Sequence, residues 1–339
     1  MAPGRNYGGI LQQYALLKSL EALGHEAVVL RREPNDGCLK RTVRGLLEGL
    51  GLRRRSSARK DEPAIREFVE KELPFSAPVV SGAQFRRLCR RESLDALVYG
   101  SDQIWRRAFA LRYGFDYFGA STPESVRQIA YAPSFGLDEW QFTAAETARL
   151  RRLLSRFAAV SSREQSGVRL IGDNLGIAAE LVCDPTLLPG ADFYDRLAGP
   201  ARRTGEYCFV YWLGDTASMD GAVSVFREGH PGFEVVAVNL RERRPLPGIG
   251  EWLALIRDAG YVITDSFHGT VFSLLFSRQF EVHCNKSGGY DRILTLLGQI
   301  GLEDKLGDMT LPVDYPSIAA GLEQYRSRSL DFLKKALSE

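Results

Sequence analysis

The sequence has few of the side chains that hold metals and none of their usual spacings. Four histidines occur in 339 residues without an HExxH pair, and the five cysteines (Cys38, Cys89, Cys183, Cys208, Cys284) are scattered, odd in number and free of any CxxC spacing. A structural or catalytic zinc site has no support in that pattern, and no metal is expected. Cys183 and Cys208 lie in apolar runs and read as small buried hydrophobes. No apolar run approaches the roughly 18 residues needed to span a bilayer. The stretch Met1-Ala-Pro-Gly-Arg-Asn-Tyr7 lacks the apolar core of a signal peptide, so the expected location is the cytoplasm. Aromatic residues do not interleave with the basic ones, which argues against a nucleic-acid partner.

What is present is the composition of a globular protein, 45% apolar and 25% charged, at a length that suits two α/β domains rather than one core. Net charge is only +2, but residues 31–60 hold ten Lys/Arg against three Asp/Glu, a local +7. Such a run is read either as a solvated face or as a surface for anionic headgroups or an acidic glycan. The second reading adds peripheral contact with the inner face of the membrane to the expectations.

Helical spacing over 9–23, closed by Gly24, is followed by an apolar run at Glu26–Leu30 that predicts a strand. Further strands are predicted at 94–99, 127–132, 158–161, 181–183, 207–212, 234–238, 261–264 and 280–283. Helices are predicted at 63–73, 143–157, from 164, and at 217–228, 251–259, 269–277 and 316–338. Turn-forming residues over 196–205 mark a domain boundary. The division is residues 1–198, residues 205–312, and a C-terminal helical segment, 313–339, packing back on the first domain. Alternating strands and helices imply two Rossmann-like domains with mostly parallel sheets facing a cleft, and such sheets bind ligands beyond the carboxyl ends of their strands.

The polar residues just past each strand are therefore the candidates. Asp265-Ser266-Phe267-His268-Gly269-Thr270 is the strongest: Ser266 or Asp265 caps a helix, Gly269 permits close approach, and His268 exchanges a proton near neutral pH. Arg163 follows another strand and suits bidentate capture of phosphate or carboxylate, or an ion pair with a nearby acid. The turn Gly100-Ser101-Asp102-Gln103-Ile104-Trp105 offers an acid and an aromatic, Trp105 being either a sugar platform or a core side chain. Asn6-Tyr7-Gly8-Gly9 ahead of the first helix is a second ligand-loop candidate.

In order and spacing these turns resemble the polysaccharide pyruvyl transferase family. The matching stretches are Asn6–Leu16, Tyr99–Trp105, Tyr131–Gly136, Ser162–Gly167, Asp184–Leu188, Ile263–Phe272 and the tail around Leu302-Glu303-Asp304. The resemblance implies a GT-B-like fold and transfer of a pyruvyl group from phosphoenolpyruvate to a sugar of a cell-surface or exopolysaccharide precursor, as a ketal, with release of phosphate. It implies phosphoenolpyruvate as co-substrate, no further cofactor, and a glycan or lipid-linked sugar as acceptor. By that resemblance His268 and Arg163 serve catalysis or donor binding. Asp102 is the expected base or acceptor-orienting residue, and Lys286 is expected to reach the same anion. Ser266, Gly269, Thr270, Asn6, Tyr7, Gly8, Ser101 and Trp105 complete the expected binding set. Two departures stand out: Ser266 occupies a position where many relatives carry arginine, and relatives have a strand ahead of Asn6, so this chain is expected to start late. A nucleotide-sugar glycosyltransferase and a non-catalytic glycan- or nucleotide-binding protein are the competing readings.

Overall fold

A computed structural model describes residues 5–34, 62–200, 203, 206–242, 245–283 and 290–338. Two four-stranded sheets, each wholly parallel, organise the chain. The first runs β1 (Ala96–Gly100), β2 (Arg127–Tyr131), β3 (Ala159–Ser162) and β4 (Glu180–Leu181) in sequential order. The second contains β5 (Tyr207–Trp212), β6 (Glu234–Asn239), β7 (Tyr261–Thr264) and β8 (Gln279–Val282) in the order β6-β5-β7-β8. A parallel sheet is covered on both faces, so its strands read as continuous apolar runs. The strand β5, Tyr-Cys-Phe-Val-Tyr-Trp, is buried at all six positions.

One face of the first sheet is covered by the helices Ala144–Leu154 and Gln165–Leu175, whose Leu150, Leu154, Leu170, Ile171 and Leu175 join a core with Leu97, Ala130 and Val160. A second, larger core holds the helix Tyr7–Ala22 and reaches Ile129 and Tyr131 on one side and Phe209, Tyr211 and Val262 on the other. Helix Tyr315–Ser338 links the two sheets: the Tyr315 hydroxyl donates to Ser273 O at 3.2 Å, the Tyr325 hydroxyl to Val182 O at 2.9 Å, and Arg127 donates to Ala336 O at 2.6 Å.

The strand expected at Glu26–Leu30 is reduced to two isolated parallel bridges, Val29 with Phe75 and Arg32 with Val79. Pro78 lies in the partner segment and has no N–H to give, so the ladder cannot run through it. The boundary expected at 196–205 falls partly on residues outside those described. So do Lys286 and nearly all of the basic 31–60 stretch. Of its two described arginines, Arg32 is buried against Asp116 at 2.7 Å and Arg31 pairs with Glu33 at 2.7 Å. Arg32 therefore belongs to the core packing and not to a solvated basic face. Among the described residues no helix is long and apolar enough to cross a membrane, and no group of three His, Cys, Asp or Glu could hold a metal.

Candidate active site at the domain interface

The helix Phe267–Leu275 begins hard against the end of β7. Ser266 is its cap, its hydroxyl accepting from Gly269 N at 3.4 Å while its own amide donates to Thr264 Oγ1 at 3.1 Å. Gly269 is required there, because a Cβ would lie 2.2 Å from Thr264 Oγ1. The acid of the turn, Asp265, does not cap this helix. Its two carboxylate oxygens accept from Leu213 N and Gly214 N, each at 2.7 Å.

The tight start carries His268 across the interface. Its ring lies against Gly8 of the Tyr7–Ala22 helix, so closely that an alanine Cβ at position 8 would fall 2.0 Å from Nδ1. Nε2 lies 3.8 Å from Asp184 Oδ1 and has no hydrogen-bond partner. Burial lowers the imidazole pKa to about 4; Asp184 opposes the shift, and Arg163 and Arg292 add to it.

Asp184 joins the elements. It follows β4 and caps the turn Pro185–Leu187, with Oδ1 accepting from Thr186 N at 3.0 Å and from the Thr186 hydroxyl at 2.7 Å. Oδ2 accepts from the Gln12 side-chain amide and from Arg163 Nη1, the latter at 2.7 Å. The fully buried Arg163 side chain also lies 3.8 Å from Asp102 and 3.7 Å from Glu164, but its Nε and Nη2 have no hydrogen-bond partner. Glu164 accepts from the Ser134 hydroxyl, and burial pushes its carboxyl up although Arg163 and Arg292 pull it down.

Asp102, about 40% exposed at its side chain, sits beyond β1 at φ 63°. Its backbone carbonyl accepts from Ser134 N at 3.0 Å, which ties it to the loop after β2. A left-handed aspartate next to a buried guanidinium is a conformation that the surrounding loops must hold in place.

Of the residues singled out in the sequence, the structure brings His268, Arg163, Asp102 and Gly8 into one cluster, with Ser266 and Gly269 shaping its backbone. Others have different work. Trp105 is fully buried, stacks on Phe118 at 5.0 Å and donates from Nε1 to Tyr117 O at 2.9 Å, so it is a core side chain and offers no sugar platform. Tyr7 is equally buried, stacked on Trp252 at 4.8 Å, with its hydroxyl donating to Pro247 O at 2.7 Å. It ties the first helix to Trp252 and Pro247 beside the second sheet. Tyr7→Phe should therefore lower stability by about 1 kcal/mol, read from urea unfolding, and leave the Michaelis constant for the donor unchanged. Thr270 is fully buried and donates to Ser266 O at 3.2 Å, so its hydroxyl is spent within its own helix. Asn6 caps the first helix, accepting from Gly8 N at 3.1 Å. The Ser101 hydroxyl is buried without a partner.

Asp184, Gln12, Glu164 and Arg292 are members of the cluster that the sequence reading did not name as site residues. Asp184 directly follows the strand predicted at 181–183, so the rule that selected Arg163 applies to it equally. Arg292 lies on the helix Tyr290–Gln299, which no motif marked; its guanidinium carbon is 5.5 Å from the Phe267 ring centre, and that of Arg163 is 5.6 Å from the same ring.

Two parallel four-stranded sheets thus meet around a cluster of a histidine, arginines and carboxylates. The polysaccharide pyruvyl transferase profile matches residues 6–280, and the chain belongs to that family. Membership makes it a transferase. No curated protein sequence matches it. Among solved structures it is similar to the UDP-GlcNAc 2-epimerase from Neisseria meningitidis bound to UDP-GlcNAc (10% identity, 97% of this chain and 98% of that one, TM-score 0.47). It is also similar to a putative UDP-N-acetylglucosamine 2-epimerase from Listeria monocytogenes (12%, 95% and 94%, TM-score 0.46). A third is the glycosyltransferase SsfS6 from Streptomyces sp. SF2575, complexed with thymidine diphosphate (12%, 96% and 94%, TM-score 0.41).

Proposed function

We propose that the chain transfers a pyruvyl group from phosphoenolpyruvate to a glycan acceptor at the His268–Asp184–Arg163 cluster. The observation that carries this reading is the buried cluster around Asp184, which Arg163 Nη1 binds at 2.7 Å and His268 Nε2 approaches at 3.8 Å, and in which that Nε2 and the Arg163 Nε and Nη2 have no hydrogen-bond partners. Buried donors of this kind are costly unless a ligand meets them. Fixed donors in a dry site also stabilise developing negative charge.

In the proposed reaction one sugar hydroxyl bonds to the central carbon of the donor and loses its proton to Asp102. His268, once protonated, supplies the proton taken up by the methylene carbon. A second hydroxyl, giving its proton to the now neutral His268, then displaces phosphate from the same carbon, which yields the ketal and inorganic phosphate, and Asp102 releases the first proton to solvent. Arg163 holds the donor's acidic groups throughout. The imidazole is neutral in the ligand-free protein, since its pKa is depressed to about 4. A bound polyanion beside Nε2 favours the imidazolium and so arms the acid only when the donor is present.

Asp265 weighs against a nucleotide-sugar donor. In the order β6-β5-β7-β8 the topological switch point lies between β5 and β7, where such sheets seat a nucleotide's phosphates. The two amides at the end of β5 already bind the Asp265 carboxylate, which would repel a diphosphate.

The test is to incubate the protein with phosphoenolpyruvate and lipid-linked glycan acceptors and to measure phosphate. Acceptor-dependent phosphate release is expected. Release only from a UDP- or GDP-sugar, as nucleotide, would transfer the assignment to glycosyl transfer.

A further inference from the structure

We propose that Arg292 is the second anion grip of this site, forming with Arg163 a two-guanidinium clamp, built from both domains, for a small anion that carries two acidic groups. The inference rests on the pyruvyl-transfer reading for the identity of that anion, a carboxylate and a phosphate on the same carbon. The placement of Arg292 is fixed by its neighbours. One residue before it, Asp291 accepts from the Ser166 hydroxyl, and three residues after it, Thr295 Oγ1 accepts from Gln165 N at 3.2 Å. Those two bonds dock the first two turns of Tyr290–Gln299 on the start of Gln165–Leu175, the helix that directly follows Arg163 and Glu164, whose charges act on Arg292.

Both guanidinium groups meet at one aromatic ring, Phe267, at 5.6 and 5.5 Å. Arg163 gives Nη1 to Asp184, which leaves Nε and Nη2 without hydrogen bonds, and the buried Nε of Arg292 also lacks one. Like charges brought together out of water raise the free energy of the ligand-free protein, and a ligand with two negative groups removes that cost. Burial lowers the Arg292 pKa to about 10, with Arg163 the first of the charges contributing and Glu164, Asp102 and Asp184 opposing. An anion with one acidic group satisfies one guanidinium; one with two acidic groups satisfies both. Since the clamp takes one arginine from each domain, the bound anion also fastens the domains together.

The experiment is calorimetric titration of phosphoenolpyruvate into the wild type, Arg292→Gln, Arg292→Met and Arg292→Lys, with pyruvate and inorganic phosphate as single-charge-group controls, alongside thermal melts. Arg292→Gln and Arg292→Met should bind phosphoenolpyruvate about 10- to 100-fold more weakly, the loss of hydrogen bonds to a charged group. Arg292→Lys should recover part of the loss, since it keeps the charge but not the fork. The wild type should prefer phosphoenolpyruvate to either control, and the Gln and Met variants should lose that preference. Ligand-free Arg292→Met should melt no lower than the wild type, because a crowded charge has been removed, whereas a purely structural arginine would lower the melt. If the wild type binds phosphoenolpyruvate and both variants bind it equally well, the clamp is wrong and pyruvyl transfer stands. If a nucleotide-sugar binds in an Arg292-dependent way and phosphoenolpyruvate does not, the clamp stands and the donor assignment fails, whereas binding of phosphate alone overturns the clamp. Failure of the wild type to bind any of these anions overturns both.

Discussion

Gly8→Ala should reduce the proposed pyruvyl transfer about 10²–10⁴-fold, as far as His268→Gln does, although Gly8 has no side chain to contribute. Alanine is the better helix former, and at an unconstrained position the exchange would stabilise the helix by about 1 kcal/mol. Here the new Cβ would lie 2.0, 2.3 and 2.5 Å from three atoms of the His268 ring, far inside contact distance. The ring is pinned on its other sides by its own short helix and by Asp184, so it has to rotate and withdraw Nε2 from the cluster. Overlap on that scale outweighs the propensity gain. Steady-state kinetics with phosphoenolpyruvate and an acceptor read the loss, and the folded baseline by circular dichroism shows that the chain is intact. A fully active Gly8→Ala enzyme would mean that His268 is not held where the reaction occurs. His268→Gln with wild-type turnover would remove the histidine from catalysis altogether.

The second-domain strands were legible because they are short, apolar and bounded by turns. Tyr207–Trp212 and Tyr261–Thr264 match the predicted spans residue for residue, and Glu234–Asn239 differs by one residue. Periodicity also located the long helices, although their ends moved by one to a few residues where capping by Asn6, Thr143 and Ser266 sets them. The Glu26–Leu30 run has the residues of a strand, but its partner segment contains Pro78, and a strand needs a partner that can donate. Helix Tyr290–Gln299 was not recognised, although Ile293, Leu296 and Leu297 have helical spacing and are buried.

At the site, residue type was legible but side-chain direction was not. His268, Arg163, Asp102, Tyr7, Trp105 and Thr270 all stand at or near strand ends or in ligand-loop positions, and the rule that chose them cannot separate those facing the cleft from those facing the core. Tyr7 turns to Trp252 and Trp105 to Phe118 because large rings gain more from burial than a turn gains from displaying them. Gly8 shows the opposite case. A glycine pair is weak evidence in a sequence, yet its missing side chain is what admits the imidazole. Arg292 depends on docking between two helices more than 100 residues apart, and no local pattern encodes that.

Asp184→Asn should cost about 3–5 kcal/mol of folding stability at neutral pH, because it strips the hydrogen-bonded charge partner from the fully buried Arg163. The exchange keeps the size of the side chain, so the loss is electrostatic: an amide that replaces the carboxylate either turns its NH₂ toward the Gln12 and Arg163 donors or surrenders the Thr186 bonds. The pH dependence identifies the mechanism. Burial pushes the Asp184 carboxyl up, but Arg163, His268 and the Thr186 bonds outweigh it and hold the carboxyl below its usual 3.8. A carboxylate depressed in the folded state contributes stability above its unfolded pKa, and that contribution is lost as the pH falls through the lower, folded value. His268 acts in a different window. Its pKa falls from 6.5 unfolded to about 4 folded, so the unfolded chain binds the proton first, and stability is lost as the pH drops from about 6.5 toward 4. That shift corresponds to roughly 3 kcal/mol once the pH is below both values. The wild type should therefore weaken in two stages on acidification, the His268 stage first and the Asp184 stage below pH 3.8. Asp184→Asn should start lower and keep the first stage, enlarged because the carboxylate no longer favours the imidazolium, but lack Asp184's contribution to the second. Urea unfolding at half-unit intervals from pH 7 to 3 reads both stages. An Asp184→Asn protein that parallels the wild type across the whole range, offset or not, would show that this carboxylate does not hold the charge of Arg163 in the folded protein.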